Sequence, residues 1–194
     1  ELNITNYPLI IDKKNKSITL PKKLSLDQIV VIPSNYLLIA KPGSVIKFAS
    51  GGGIISHSPI FFNGSESFPI KIIGSNKKSN GILVTGVESD TSYLRHTIFT
   101  NLSNVSDKNW GLTGSVNFYK SPVNIEKCSF KQNNGTDDLL NLVRTDFLIK
   151  DCLFVGSYAD ALDADFCKGK IINTKFFSSG NDALDFSGSE IVLS

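Results

Sequence analysis

The 194-residue sequence predicts an all-β fold: a right-handed single-stranded parallel β-helix, a solenoid of about 22 residues per coil with three short strands in each coil. Three observations predict it. A four-residue motif recurs as Asp138-Leu139-Leu140-Asn141, Asp160-Ala161-Leu162-Asp163 and Asp182-Ala183-Leu184-Asp185, its leading aspartates 22 residues apart. Ile125, Ile149 and Ile171 are each followed three residues later by Cys128, Cys152 or Thr174, and five later by Phe130, Phe154 or Phe176. Within each unit apolar and polar residues alternate, the period of a strand with one buried face. A unit this short cannot bury its own apolar side, so successive units must stack.

Stacking assigns every repeated position a direction. Equivalent residues of neighbouring coils lie roughly 4.8 Å apart. Phe118, Leu142, Ala164 and Phe186 fall on one inward ladder, and Cys128, Cys152 and Thr174 with Phe130, Phe154 and Phe176 on others. By the same parity Asn117, Asn141, Asp163 and Asp185 form an outward row.

The elements follow in chain order. Residues 1–35 mix apolar patches with Lys13, Lys14, Lys16, Lys22 and Lys23, which suits a polar cap and a first irregular coil, because the open end of a solenoid must be covered. Residues 36–194 form the body, and cap and body make a single domain. Short apolar runs at intervals of roughly eight to twelve residues supply its early strands. Thr97 and Phe99 start the Cys/Thr and Phe ladders. Phe99 to Phe130 is 31 residues, too long for one coil, so an insertion including residues 104–110 leaves the stack and carries Trp110, the only tryptophan. Phe130 to Asp138 is eight residues where Phe154 to Asp160 is six, which places two extra residues in the 132–137 loop. The strand at 191–193 would leave an open edge, so further coils or domains of the same polypeptide are expected to cover it.

The segments 114–123, 140–147, 160–166 and 180–189, with their repeated Asp-x-Leu-Asp and Asn-Phe or Asp-Phe elements, resemble bacterial right-handed parallel β-helix proteins of the pectate-lyase-like superfamily. The resemblance covers about the last 80 residues. It implies this fold and a secreted or cell-surface setting connected with polysaccharide, without carrying a reaction. The pairs Asn181-Asp182 and Asp137-Asp138 are placed like the acidic pairs of β-helical polygalacturonases, but that family's Gly-His-Gly and Arg-Ile-Lys elements are missing. So are the His and Arg patterns of pectate lyases and mannuronan epimerases.

Composition narrows the partners. A net charge of +2, with scattered lysines and only Arg95 and Arg144 as guanidinium groups, argues against nucleic acid. No apolar run approaches membrane-spanning length. Three cysteines give no disulfide framework. Cys128 and Cys152 read as a small buried ladder, and Cys167, before a glycine-containing turn, as the accessible thiol.

The chemistry centres on the outward row. Two stacked carboxylates, Asp163 and Asp185, repel by roughly 3 kcal/mol at an effective dielectric of ~20. Relief is expected from water, a raised pKa, a cation, or Lys120 and Arg144 near the strand ends. Asp138, Asp160 and Asp182 read as turn carboxylates that accept backbone N–H bonds. Asn117, Tyr119, Asn141, Arg144, Tyr158, Asp165 and Trp110 form a candidate ligand surface of amides, acids and aromatic platforms suited to a sugar chain. Asp163 and Asp185 are the candidate catalytic pair, by the two-carboxylate logic of glycoside cleavage. Calcium on the same pair is chemically reasonable, but no loop of alternating ligands surrounds it, so no metal or other cofactor is assigned. The reading is a secreted or surface module that binds glycan or acts as a rigid structural or adhesive element. The alternative is a polysaccharide lyase, hydrolase or epimerase.

Overall fold

The computed structural model describes residues 3–75, 78–107 and 110–194, and the side chains of residues 106–110 lie outside what it describes. One turn of a solenoid is complete by residue 32. Ser17–Thr19, Lys23–Leu26 and Ile29–Ile32 are short strands. Each pairs in parallel with the strand one turn later, Leu37–Ala40, Val45–Phe48 and Gly53–Ser56. Lys23–Leu26 alternates exposed and buried positions, so the leucines face inward and the Lys and Ser outward. The pattern continues for about seven turns and builds three parallel sheets, called A, B and C in the order the chain visits them. The molecule is a right-handed parallel β-helix with almost no helix. Before the first turn, the 3-10 segment Asn3–Asn6 and the strand Ile10–Asp12, antiparallel to Ser17–Thr19, lie where the sequence expects the cap.

The interior is built from ladders. Phe99, Phe130, Phe154 and Phe176 stack with ring centroids 4.9, 4.7 and 4.9 Å apart and planes within 15° of parallel. The strand spacing imposes that distance, and offset stacking rewards it. On sheet C, Ile54, Ile82, Val116, Leu140 and Leu162 are fully buried in one continuous core. Cys128 and Cys152 are buried free thiols. The Cys128 N–H donates to Cys152 Sγ at 3.4 Å, and the Cys152 N–H to Thr174 Oγ1 at 3.4 Å.

The corners explain one departure from the sequence reading. Lys120, Arg144 and Phe166 hold the same corner between sheets C and A on successive coils, with φ of 49°, 52° and 53°. A left-handed residue turns the chain and shifts the in–out alternation by one place. Phe166 is therefore exposed, and Cys167 faces inward, 3% exposed, with its thiol donating to the carbonyls of Leu142 and Asp165. The expectation of an accessible Cys167 is corrected on this ground. Burial also raises the thiol's pKa to about 11, so it is a small packing residue stacked among hydroxyls: the Ser121 N–H bonds Thr145 Oγ1 and the Cys167 N–H bonds Ser189 Oγ.

The insertion leaves the stack, as its length requires, and its described residues lie against the body. Ser106–Asp107 pairs antiparallel with Trp110–Gly111, and Val105 and Leu112 on either side pack on the outer face of sheet C. Val105 is fully buried against Ile55 and Leu83, with Ile29, Val31 and Leu112 around them. This second, smaller core lies outside the barrel.

Candidate functional site

One row of sheet C crosses the whole molecule: Val31, Ile55, Leu83, Asn117, Asn141, Asp163, Asp185, each in register with the next. The first three are apolar and lie beneath the insertion. The last four are the predicted outward row, and its register is as the repeat required. Accessibility differs sharply along it. Asn117 is 0% exposed and Asn141 2%, Asp163 is half-buried and Asp185 exposed.

Asn117 and Asn141 are therefore corrected as ligand contacts. Asn117 donates to the Gly114 and Ile82 carbonyls at 2.6 and 3.1 Å and accepts the Gly114 N–H at 3.0 Å, so its side chain serves as a third strand's worth of backbone bonding. Asn141 lies where Gly114 leaves room, since a Cβ there would meet the Asn141 Cβ at 2.7 Å. Its amide nitrogen lies 2.7 Å from Asp163 Oδ2, 3.1 Å from Thr113 Oγ1 and 3.3 Å from Asp138 Oδ2. Its Oδ1 is buried and has no hydrogen-bond partner among the described residues.

The acids form a chain of contacts around this amide. Asp138 is 2% exposed; desolvation raises its pKa to about 6, with Asp137 and Asp160 adding to the rise and hydrogen bonds from Thr113 and Asn141 opposing it. Asp163 rises to about 7, first through desolvation and then through Asp138, Asp165, Asp185 and Asp160. Of the leading aspartates, Asp160 behaves as expected of a turn carboxylate: Oδ1 accepts the Asp182 N–H at 2.8 Å, from the following coil, and the Asn181 side chain at 3.0 Å. Asp138 instead takes side-chain donors, and Asp182 is exposed and takes the Asn181 amide at 3.2 Å.

Lys120 and Arg144 do not relieve the row. The Lys120 ammonium is 3.6 Å from Glu88, and the Arg144 guanidinium lies 4.9 Å from the centre of the Phe166 ring, both at the C–A corner. Relief comes from the raised Asp163 pKa and from the Asn141 amide. Asp165 continues outward from the same strand, in register with Val143 and Ser187, and Tyr119 lies two coils earlier in that second row. Tyr158 is 70% exposed, on a loop held by its own N–H to Asn133 Oδ1 at 2.7 Å. Trp110 is placed by its backbone in the covering ribbon, and its side chain lies outside the described residues. Of the predicted residues, Asp185 and Tyr158 are exposed, and Tyr119, Asp163 and Asp165 are partly so.

No family model, curated protein or solved structure matches the chain. The site therefore rests on its geometry. What sequence reasoning missed is the grouping of Asp137, Asp138 and Asp160, whose carboxylate oxygens lie within 4.8 Å of one another. The signal was there in part, in the two extra residues of the 132–137 loop that carry Asp137 toward the next coil. A groove of about 690 Å³ also lies on sheet A, lined by Asn124, Leu148, Lys168, Lys170 and Val192 among others, and it shares no residue with the acid row.

Proposed function

We propose that this chain is a non-catalytic surface module of the pectate-lyase-like kind, extracytoplasmic in setting, that binds a polysaccharide or cell-surface glycan across the open end of sheet C. The observation that carries the reading is the change along one row, from apolar residues beneath the insertion to uncovered carboxylates at Asp163 and Asp185. A rigid ladder repeats at a near-constant step along an extended polymer, and carboxylates accept two hydroxyl hydrogen bonds each. Asp165 widens the acceptor surface, and exposed Tyr158 offers an aromatic face to the apolar side of a sugar ring.

One observation favours the enzyme reading as a second possibility. Asp163, with its pKa near 7, stands in register with a second carboxylate, Asp185, and a carboxyl that titrates near neutrality suits a general acid. The test applies a panel of acidic and neutral polysaccharides to the wild type and to the Asp163→Asn/Asp185→Asn double variant, reading binding and product release separately. Binding without product, lost in the double variant, is the expected result. Product release lost in the variant would replace the module with an enzyme. No binding to any polymer would leave a structural element and remove the glycan reading.

A further inference from the structure

The outward face of sheet A carries a second row with apolar side chains. It runs in register from Ile39, Phe61 and Tyr93 to Asn124, Leu148, Lys170 and Val192. Among the described residues, none of its apolar side chains belongs to the core inside the barrel or to the smaller core on sheet C. Tyr93 is 47% exposed and Val192 57%. The two halves of the row differ in relief. Phe61 and Tyr93 stand edge to face with ring centroids 6.1 Å apart and form a ridge. Asn124, Leu148 and Val192 line the groove of about 690 Å³. Ridge and groove lie on opposite sides of one point, midway between Tyr93 and Asn124, with Phe61 and Leu148 the next strands out on either side. A face with a ridge and a groove at equal distances from one point is complementary to itself under a twofold rotation.

We propose that two copies of this chain pack antiparallel, face to face through sheet A, about a twofold axis that lies along the strands midway between Tyr93 and Asn124. Phe61 of each copy then enters the groove at the partner's Leu148, and Tyr93 meets the partner's Asn124. Charge fixes this register. Beside the row, Arg95 and Glu126 pair within one copy at 3.6 Å, on the two strands that flank the axis. The rotation sets each Arg95 opposite the partner's Glu126, so the two pairs close into one ring of alternating charge. Sliding the partner by one strand in one direction puts Arg95 opposite Arg95. Sliding it the other way puts Glu126 opposite Glu126 and Arg95 opposite Lys150, and like charges disfavour both. A parallel arrangement fails similarly, because it faces Lys170 with Lys170. In the antiparallel one the Lys170 stem lies on the partner's Ile39 and its ammonium reaches past the row to water. The eight parallel strands among the nine of sheet A offer roughly 500 Å² on each copy, at ~4.8 Å between strands and ~3.3 Å per residue. The pair buries about 1,000 Å², the lower end for a specific interface, so the dimer is weak, with a Kd on the order of 10 µM. This association needs no glycan, and its groove shares no residue with the acid row of sheet C.

Sedimentation velocity of the full chain, from about 1 to about 500 µM, brackets the expected Kd and should show a reversible shift from monomer to dimer mass. Arg95→Glu and Leu148→Lys should each weaken the dimer at least about tenfold. Arg95 is exposed, so its variant folds whatever Leu148→Lys does, and a melting curve checks each. Lys71→Glu, which reverses an exposed charge on sheet B, should leave the dimer as it was. The decisive sample mixes Arg95→Glu with Glu126→Arg. Neither variant should dimerise alone, since each sets two like-charged pairs against each other. In the mixed dimer both facing pairs are opposite in sign, and association should return to within about threefold of wild type. A monomer throughout the range would overturn the proposal. So would a dimer that Arg95→Glu and Leu148→Lys leave intact, because it would use another face. A mixture that associates no better than its two components would overturn the antiparallel register.

Discussion

The two ends of one row on sheet C share a backbone and differ in chemistry. Val31, Ile55 and Leu83 occupy the same register position as Asn141, Asp163 and Asp185, with a like inward ladder behind both, Ile54 and Ile82 in one half, Leu140 and Leu162 in the other. Inward residues hold the solenoid together. The outward residue decides only whether that face needs a cover. An apolar stripe left in water would be an association site, so the early half is roofed by Val105 and Leu112 of the insertion. Asp163 is half-exposed and Asp185 exposed, so the far end of the row stays open.

The largest effect comes from moving a carboxylate one place along the strand. Asp163 is tolerated on the outward side, whereas its neighbour Leu162 is 0% exposed in the ladder. Leu162→Asp should abolish folding, because an unpaired buried charge adds several kcal/mol to the lost apolar burial. Solubility and a cooperative melt read the outcome; a variant that still melts cooperatively would mean the register is not what supports the coil.

A smaller loss follows from keeping the carboxylate outward but moving it beneath the roof. Leu83→Asp puts on the covered half what Asp163 is on the open half. The solenoid should survive, since the inward ladder is untouched, while the roof lifts and the chain loses about 3 kcal/mol of packing around Leu83, Ile55 and Val105. Denaturant melts measure the loss, and limited proteolysis should cut within residues 103–113 in the variant first. Unchanged stability and unchanged cleavage would break the link between apolar row and cover.

This division also explains what was legible beforehand. The ladders of Phe130, Phe154 and Phe176 and of Asp163 and Asp185 could be read because parallel stacking copies a sequence interval directly into a contact. The direction of Asn117 could be read, but not its burial, because its amide is turned onto the Gly114 and Ile82 backbone by contacts that no sequence interval encodes. Cys167 was misplaced for a local reason: strand alternation stops at the left-handed corner residue Phe166. The Asp137–Asp138–Asp160 group needed a loop conformation that length alone does not specify.

The smallest of these effects concerns proton linkage at the open end. In the folded chain Asp163 holds its proton to a pH near 7, against 3.8 for a free aspartate, chiefly because its surroundings desolvate the charge. A carboxyl whose pKa is raised by folding stabilises the fold fully below the unfolded value and loses that contribution as pH rises through the folded value. Measured in chelator, wild-type stability should thus fall between about pH 4 and pH 7, with Asp138, raised to about 6, contributing to the lower part of the same slope. Asp163→Asn deletes the upper part. Its amide carries no charge to desolvate, so the variant should melt higher than wild type at pH 8 and flatter between pH 6 and 8. Asp163 is half-exposed, and water and salt screen it, so the gain expected is about 1 kcal/mol and not the full linkage value. A drop in melting point at pH 8 would show that the ionised Asp163 is bound into the structure through Asn141 more strongly than its neighbours repel it. The open half of the row would then be a fastening rather than a surface free for ligand.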